Sequence, residues 1–119
     1  MTWTYDQASG VLSDGAGPVA TGYSGHAAGR NNPDMESVAN VGPIPRGQYT
    51  IGEPHDTTAH GPFVMRLTPV AGNDCCGRSG MLIHGDNAAT HDASQGCIIL
   101  TRAVREQVWE SDDRNLTVI

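Results

Sequence analysis

The sequence is poor in positive charge, in cysteine and in long apolar runs, and each scarcity excludes a class of protein. Seven Lys and Arg residues stand against 13 Asp and Glu residues, which gives a formal net charge of −6. This balance does not supply the cationic surface that a nucleic acid backbone or an anionic lipid surface requires. We therefore expect neither nucleic acid nor a membrane among the partners.

Apolar stretches are short throughout the 119 residues. None approaches the roughly 20 residues needed to span a bilayer. The opening segment MTWTYDQASG also lacks the charged-then-apolar layout of a secretory signal peptide. We therefore expect the protein to be produced in the cytoplasm without a signal peptide and to reach any other compartment by a different route.

Three cysteines, Cys75, Cys76 and Cys97, are too few for a disulfide framework, and their odd number makes one of them a candidate free thiol. Neither a candidate base nor a turn signature accompanies the vicinal pair. It is therefore interpreted as structural, redox-incidental or a strained disulfide rather than catalytic. Cys97, which follows a Ser-Gln-Gly turn, is the cysteine that needs an explanation.

The length predicts one domain over residues 1–119, and 15 glycines and seven prolines divide it into short segments. Segments of strand character recur between turn signals: TWTY, VLSD, GPVATGYSG, GQYTIG, FVMRLTPV, SGMLIHG and NLTVI. Turn-forming clusters at 6–10 and 13–18 indicate hairpins at the start of the chain. We predict a mainly β fold, a compact antiparallel sandwich or barrel.

One segment has helical character, TRAVREQVWES at 101–111. Val104 and Val108 stand four residues apart beside Trp109, which is typical of the apolar face of an amphipathic helix. Thr101 is the candidate N-cap. We predict one α-helix here, directly after the cysteine segment.

Cys97 lies in LIHGDNAATHDASQGCIIL, residues 82–100, together with His84. A thiol is a useful nucleophile only as its thiolate, and a neighbouring imidazole promotes that ionisation. Gly96 allows a sharp turn in which peptide N–H groups can point at a developing oxyanion. The aliphatic run after Cys97 would anchor the turn in the core.

Other interpretations of these residues stay open. A lone cysteine in apolar sequence is most often a small buried hydrophobic residue. Several residues are of types that can bind a metal ion, but their spacing matches no known metal-binding motif. These residues are His84, Asp86, His91, Asp92 and Cys97. The histidines other than His84 lie in turn-like sequence and are most simply interpreted as solvated loop residues: His26, His55, His60 and His91.

The combination of HG, an excursion, and then S-Q-G-C-I resembles the H-G…S-H-G-C signature of YkuD-type L,D-transpeptidases. Nearly the whole chain also resembles the related L,D-transpeptidase-like effectors of type VI secretion systems. This resemblance rests on GYSG at 22–25, NNP at 31–33, GPIPRGQYTIG at 42–52, IHGDN at 83–87 and ASQGCIIL at 93–100. The resemblance implies a β-rich catalytic domain that acts on peptidoglycan stem peptides. We expect neither a cofactor nor a metal.

By this resemblance, Cys97 is the nucleophile and His84 its base. The carbonyl of Gly85 orients the imidazole, and the backbone around Gly96 and Cys97 forms the oxyanion hole. The implied reaction opens the bond between the L-centre of diaminopimelate and a terminal D-alanine through a thioester. Water then gives a tripeptide, and a free D-amino acid gives an exchanged tetrapeptide.

The substrate-binding expectations from the resemblance are Tyr23, Ser24, Asp86 and Ser94. The chain departs from most cell-wall L,D-transpeptidases, which carry His and Arg on either side of the Gly-Cys pair; here those positions hold Gln95 and Ile99. Three arginines could bind the substrate carboxylate instead, and the sequence does not choose among them: Arg30, Arg46 and Arg78.

The family also implies secretion by the type VI machinery, action in the periplasm of the target cell, and a cognate immunity protein in the producer. Two alternatives remain: a cell-wall binding module without catalysis, and a sortase-like cysteine transpeptidase. A sortase needs an arginine near the thiol, and the downstream candidates Arg102 and Arg105 lie on the predicted helix. Papain-like amidases place Cys before His, the reverse of the order here.

Overall fold

The computed structural model describes residues 2–70, 78, 80–86 and 94–119, and it confirms the mainly β fold. Ten strands are present in the described part of the chain: β1 Trp3–Tyr5, β2 Val11–Asp14, β3 Gly17–Thr21, β4 Tyr23–Ser24, β5 Gly47–Ile51, β6 His55–Thr57, β7 Gly61–Pro69, β8 Leu82–His84, β9 Ile98–Ile99 and β10 Asn115–Val118. Helix α1 spans Arg102–Glu110, and two 3-10 turns cover Ala27–Gly29 and Pro33–Met35.

The strands form one sheet in the order β3-β2-β1-β10-β5-β7-β8-β9-β4, with β6 paired to β7 beside this path. The first three strands are antiparallel neighbours, as the turn clusters between them predict. The sheet is mixed rather than purely antiparallel, because β1 pairs with β10 and β8 pairs with β9 in parallel. Its path runs from β3 to β4 without closing, so the fold is not a closed barrel.

Most of the predicted strands are present within a few residues of their expected bounds. The exception is GPVATGYSG, which divides into β3 and β4 at Gly22. A Cβ at Gly22 would lie 2.0 Å from the Ile99 carbonyl oxygen, so the chain can pass close to β9 only with glycine there. The short strand β6 was not predicted, because HDT lacks the alternating apolar pattern.

Helix α1 confirms the prediction for 101–111 within one residue at each end. The Thr101 hydroxyl accepts a hydrogen bond from the Val104 amide and so forms the N-cap. Val108 is buried, and Val104 and Trp109 pack against the core. In the described ranges, no helix has both the length and the apolar character needed to cross a membrane.

The core anchors the strands that carry the candidate site. Ile83 in β8 and Ile98 in β9 are almost completely buried, and Leu100 follows them into the same cluster. Removing a buried aliphatic side chain of this kind typically costs about 2–5 kcal/mol. The packing of strands β8 and β9 in the core therefore fixes the positions of the residues at their ends.

Candidate active site

The pairing of β8 with β9 places His84 and the Cys97 segment on neighbouring strands, two register positions apart. The parallel register aligns Ile83 with Ile98 and His84 with Ile99. One residue earlier, Cys97 lies beside Leu82, and the Leu82 amide is hydrogen-bonded to the sulfur. Residues two apart in a strand share a face of the sheet. The turn that carries Cys97 therefore lies against the strand that ends in His84.

The His84 ring is buried and held by its own neighbour. Nδ1 lies 2.8 Å from the Gly85 carbonyl oxygen, which only a protonated ring nitrogen can satisfy, so the proton is assigned to Nδ1 and Nε2 is the acceptor. His84 is 2% exposed, and Nε2 has no hydrogen-bond partner among the described residues, the Cys97 thiol included. A buried polar atom without a partner calls for an explanation, and a catalytic role is one.

Burial lowers the pKa of His84, with smaller contributions of the same sign from His60 and Arg105. The hydrogen bond to the Gly85 carbonyl and the charge of Asp86 oppose this change without reversing it. Loss of hydration disfavours the charged imidazolium. The ring is therefore neutral at physiological pH, the form in which Nε2 can accept a proton.

Cys97 is a free thiol that is partly exposed. Burial raises its pKa, whereas the Leu82 amide and the positive charge of Arg78 act in the opposite direction. A raised thiol pKa beside a lowered imidazole pKa favours the neutral pair over a thiolate–imidazolium pair at rest. Proton transfer is therefore expected to accompany attack on a substrate.

Arg78 joins the Cys97 turn to the loop that contains GPIP. Its Nη1 donates to the carbonyls of Glu36 and Pro43, both at 2.8 Å. Its Nη2 donates to the carbonyls of Gly42 at 3.1 Å and Gln95 at 3.0 Å. Both ends of the guanidinium are thus bound to backbone oxygens, and the charge beside Cys97 is held in place.

The other two arginines considered from the sequence lie elsewhere. Arg46 donates hydrogen bonds to the Glu36 carboxylate through its guanidinium and its backbone amide. The Arg30 guanidinium lies 3.8 Å from the centre of the Tyr23 ring. Of these three arginines, Arg78 is the one whose charge acts on the thiol.

Two buried serines brace the turn. The Ser24 hydroxyl donates to the Gly96 carbonyl at 2.8 Å and accepts from the Ile44 amide at 2.8 Å. The Ser94 hydroxyl accepts from the amides of Gly25 and Gly96 and donates to the Cys97 carbonyl. Because both hydroxyls are occupied by backbone groups, the geometry indicates support of the turn. Their expected contact with substrate stays a prediction.

Tyr23 and Asp86, the other two residues expected to bind substrate, are in contact with each other. The Tyr23 hydroxyl donates a hydrogen bond to Asp86 Oδ1. Tyr23 pairs with Ile99 across β4 and β9, and Asp86 follows His84 and Gly85 at the end of β8. Sequence-distant residues thus place a phenol and a carboxylate beside the candidate base.

Gly96 is a position where an alanine should be costly. Its φ is +131°, and a Cβ there would lie 2.3 Å from Arg78 Nη2 and 3.1 Å from Met81 Cε. We expect Gly96→Ala to lower the free energy of unfolding by about 2–3 kcal/mol, measured by denaturant titration. Gly17→Ala is the matched control, because Gly17 has a φ of +142° and a Cβ added there would meet nothing within 4 Å among the described residues. Equal losses in the two variants would contradict a steric role for the guanidinium.

The arginines of α1 do not reach the thiol as a sortase-like site would need. Arg105 is buried, and its guanidinium donates to the carbonyls of Leu100, Pro62 and Phe63. Arg102 lies over the Phe63 ring and near Glu106. The only arginine charge acting on Cys97 among the described residues is that of Arg78, which precedes the cysteine.

Four residues considered from the sequence, Cys75, Cys76, His91 and Asp92, lie outside the described residues. Within the described ranges, no group of three or more His, Cys, Asp or Glu side chains is arranged to hold a metal ion. Two residues near His84 were missed as site residues, His60 and Arg105, because each comes from a distant part of the chain and carries no local motif.

Comparison with known proteins identifies the family of the chain. A family model described as the Tlde1 domain matches residues 19–118. The match includes every residue assigned to the site above. No curated protein matches the chain.

Proposed function

The chain belongs to the Tlde1 domain family of type VI secretion L,D-transpeptidase effectors, and from that premise we propose that Cys97 is its nucleophile and His84 its base. The family is that of antibacterial effectors directed at peptidoglycan. The observation that carries the proposal is the His84 ring. Gly85 fixes its Nδ1, while Nε2 is a buried acceptor without a partner in the described part of the chain, on the strand that pairs with the strand after Cys97.

The proposed substrate is the tetrapeptide stem, cut between the L-centre of diaminopimelate and the terminal D-alanine. His84 Nε2 takes the proton of the Cys97 thiol as the sulfur attacks the carbonyl carbon. The resulting imidazolium gives this proton to the D-alanine nitrogen, the C–N bond breaks, and D-alanine leaves. The acyl group remains on Cys97 as a thioester.

The thioester is resolved by either of two nucleophiles. Water attacks with proton transfer to His84 and releases a tripeptide, while the Cys97 sulfur leaves and is reprotonated. A free D-amino acid attacks through its amine in the same way and gives an exchanged tetrapeptide. Both outcomes consume the D-alanine-terminated tetrapeptides used as donors in cross-linking, which is the proposed basis of toxicity.

The Cys97 peptide N–H is the proposed oxyanion donor of the turn. The Gly96 N–H is engaged with Ser94 Oγ at 3.1 Å, so it is a weaker candidate than the sequence suggests. The positive charge of Arg78, which acts on Cys97, would also stabilise an oxyanion beside the Cys97 turn. For substrate recognition we propose Tyr23 and Asp86, with Ser24 and Ser94 supporting the turn.

We propose that residues 1–119 act as one catalytic domain. The family supports secretion and action on target cells. We further propose that the type VI machinery carries the protein, that it acts in the periplasm of the target cell, and that an immunity protein protects the producer. An immunity protein that covers the Cys97 turn would block access to the thiol.

Mass analysis of purified muropeptides tests the reaction. We expect digestion of tetrapeptide muropeptides to yield tripeptides, and added D-methionine to yield tetrapeptides that end in D-methionine. Intact enzyme incubated with tetrapeptide should also gain the mass of a tripeptide acyl group on the peptide that contains Cys97. Unchanged muropeptides with measurable binding would favour the binding module and overturn the enzymatic proposal.

A further inference from the structure

A second imidazole lies against His84, brought by a turn that is distant in sequence. The His60 and His84 ring centroids are 4.4 Å apart, with an angle of 31° between the ring planes. His60 is exposed, whereas His84 is almost fully buried. The His60 ring therefore covers a face of His84 that would otherwise be open to water.

The backbone holds His60 in this place. His60 lies in the tight turn between β6 and β7, and its amide donates to Thr57 Oγ1 at 2.8 Å. Strand β7 pairs with β8, with Met65 opposite Ile83, so the turn and His84 belong to neighbouring strands of one sheet. The contact follows from the sheet register and not from a flexible side chain alone.

We propose that His60 is a positioning residue for His84: its ring covers the imidazole and holds the orientation set by Gly85. This inference rests on the proposed function of His84.

Other charged groups around His84 also change its pKa, some in the same direction as His60 and some in the opposite direction. Arg105 comes from α1, and a Cβ on Gly85 would lie 2.8 Å from its Nη2. Both Arg105 and His60 lower the pKa of His84, and Asp86 raises it. His60 and Arg105 lie on separate elements, so removing His60 leaves Arg105 and Asp86 in place.

Two variants separate covering the ring from repelling charge. His60→Ala removes the ring, whereas His60→Phe keeps an aromatic face and removes the ionisable group. His55→Ala is the matched control, because His55 is an exposed histidine on β6 and the ring contact of His84 is made by His60. Both histidines are exposed, so we expect all three variants to fold, as judged by circular dichroism and thermal unfolding.

The first readout is the titration of His84, followed by NMR of ring-labelled protein, which needs no substrate. We expect the pKa of His84 to rise in His60→Ala and in His60→Phe, and to stay unchanged in His55→Ala. The second readout is muropeptide turnover. We expect kcat to fall about 3- to 10-fold in His60→Ala with little change in KM, and His60→Phe to recover most of it.

Each outcome decides the matter. A His84 titration in His60→Ala that matches His55→Ala would overturn the proposal, and so would an equal loss of kcat in His60→Phe and His60→Ala. If the wild-type protein shows no turnover while His84 still titrates as expected, the proposed function has failed and the contact between the rings has not.

Discussion

Cys97→Ser abolishes activity without unfolding the protein: we expect muropeptide turnover to fall by about 1,000-fold or more. Serine retains an oxygen that can accept the Leu82 amide, as the Cys97 sulfur does. The hydroxyl is a far weaker nucleophile than the thiol, because its pKa is far higher and the imidazole takes its proton less readily during attack. Turnover is measured by mass analysis of the products, and folding by thermal unfolding.

The same variant tests toxicity in cells. Periplasm-directed expression of the wild-type chain is expected to be lethal and cytoplasmic expression harmless, whereas Cys97→Ser should be harmless in both compartments. The double variant Cys75→Ser, Cys76→Ser keeps Cys97 as its one thiol and should remain toxic. Retained toxicity of Cys97→Ser at wild-type expression would show that Cys97 is not the nucleophile.

His84→Gln is expected to lower kcat by about 100- to 10,000-fold, the range associated with loss of a general base. The Gln side chain can still donate to the Gly85 carbonyl, but it offers no group that takes a proton from the thiol. Because Nε2 of His84 is buried without a partner among the described residues, its removal should change the free energy of unfolding by less than about 1 kcal/mol.

Three observations support or contradict this prediction. His55→Gln, on an exposed strand position, is the control and should retain full activity. In the wild-type protein, kcat/KM should be lost at acid pH with a pKa below the usual range of histidine, because burial lowers the pKa of His84. If His84→Gln kept both the wild-type rate and this acid limb, another group would have to be the base.

The local parts of the fold could be predicted from the sequence. Short apolar segments between glycine and proline turns predict β1, β2, β5, β7 and β10, and the apolar positions of 101–111 predict α1. These features depend on residues a few positions apart, whose spacing fixes the face that each side chain presents. Strand β6 and the break at Gly22 were not predicted, because they depend on pairing with β7 and on the Ile99 carbonyl.

The sequence by itself determined the candidate thiol and imidazole, because Cys97, Gly96 and His84 stand in a short motif with a recognisable order. Tertiary structure alone decided what surrounds them. It selected Arg78 as the guanidinium beside the thiol and placed His60 on the base. The physical reason is that such contacts depend on strand register and loop path, which bring together residues whose separation in the chain carries no signal.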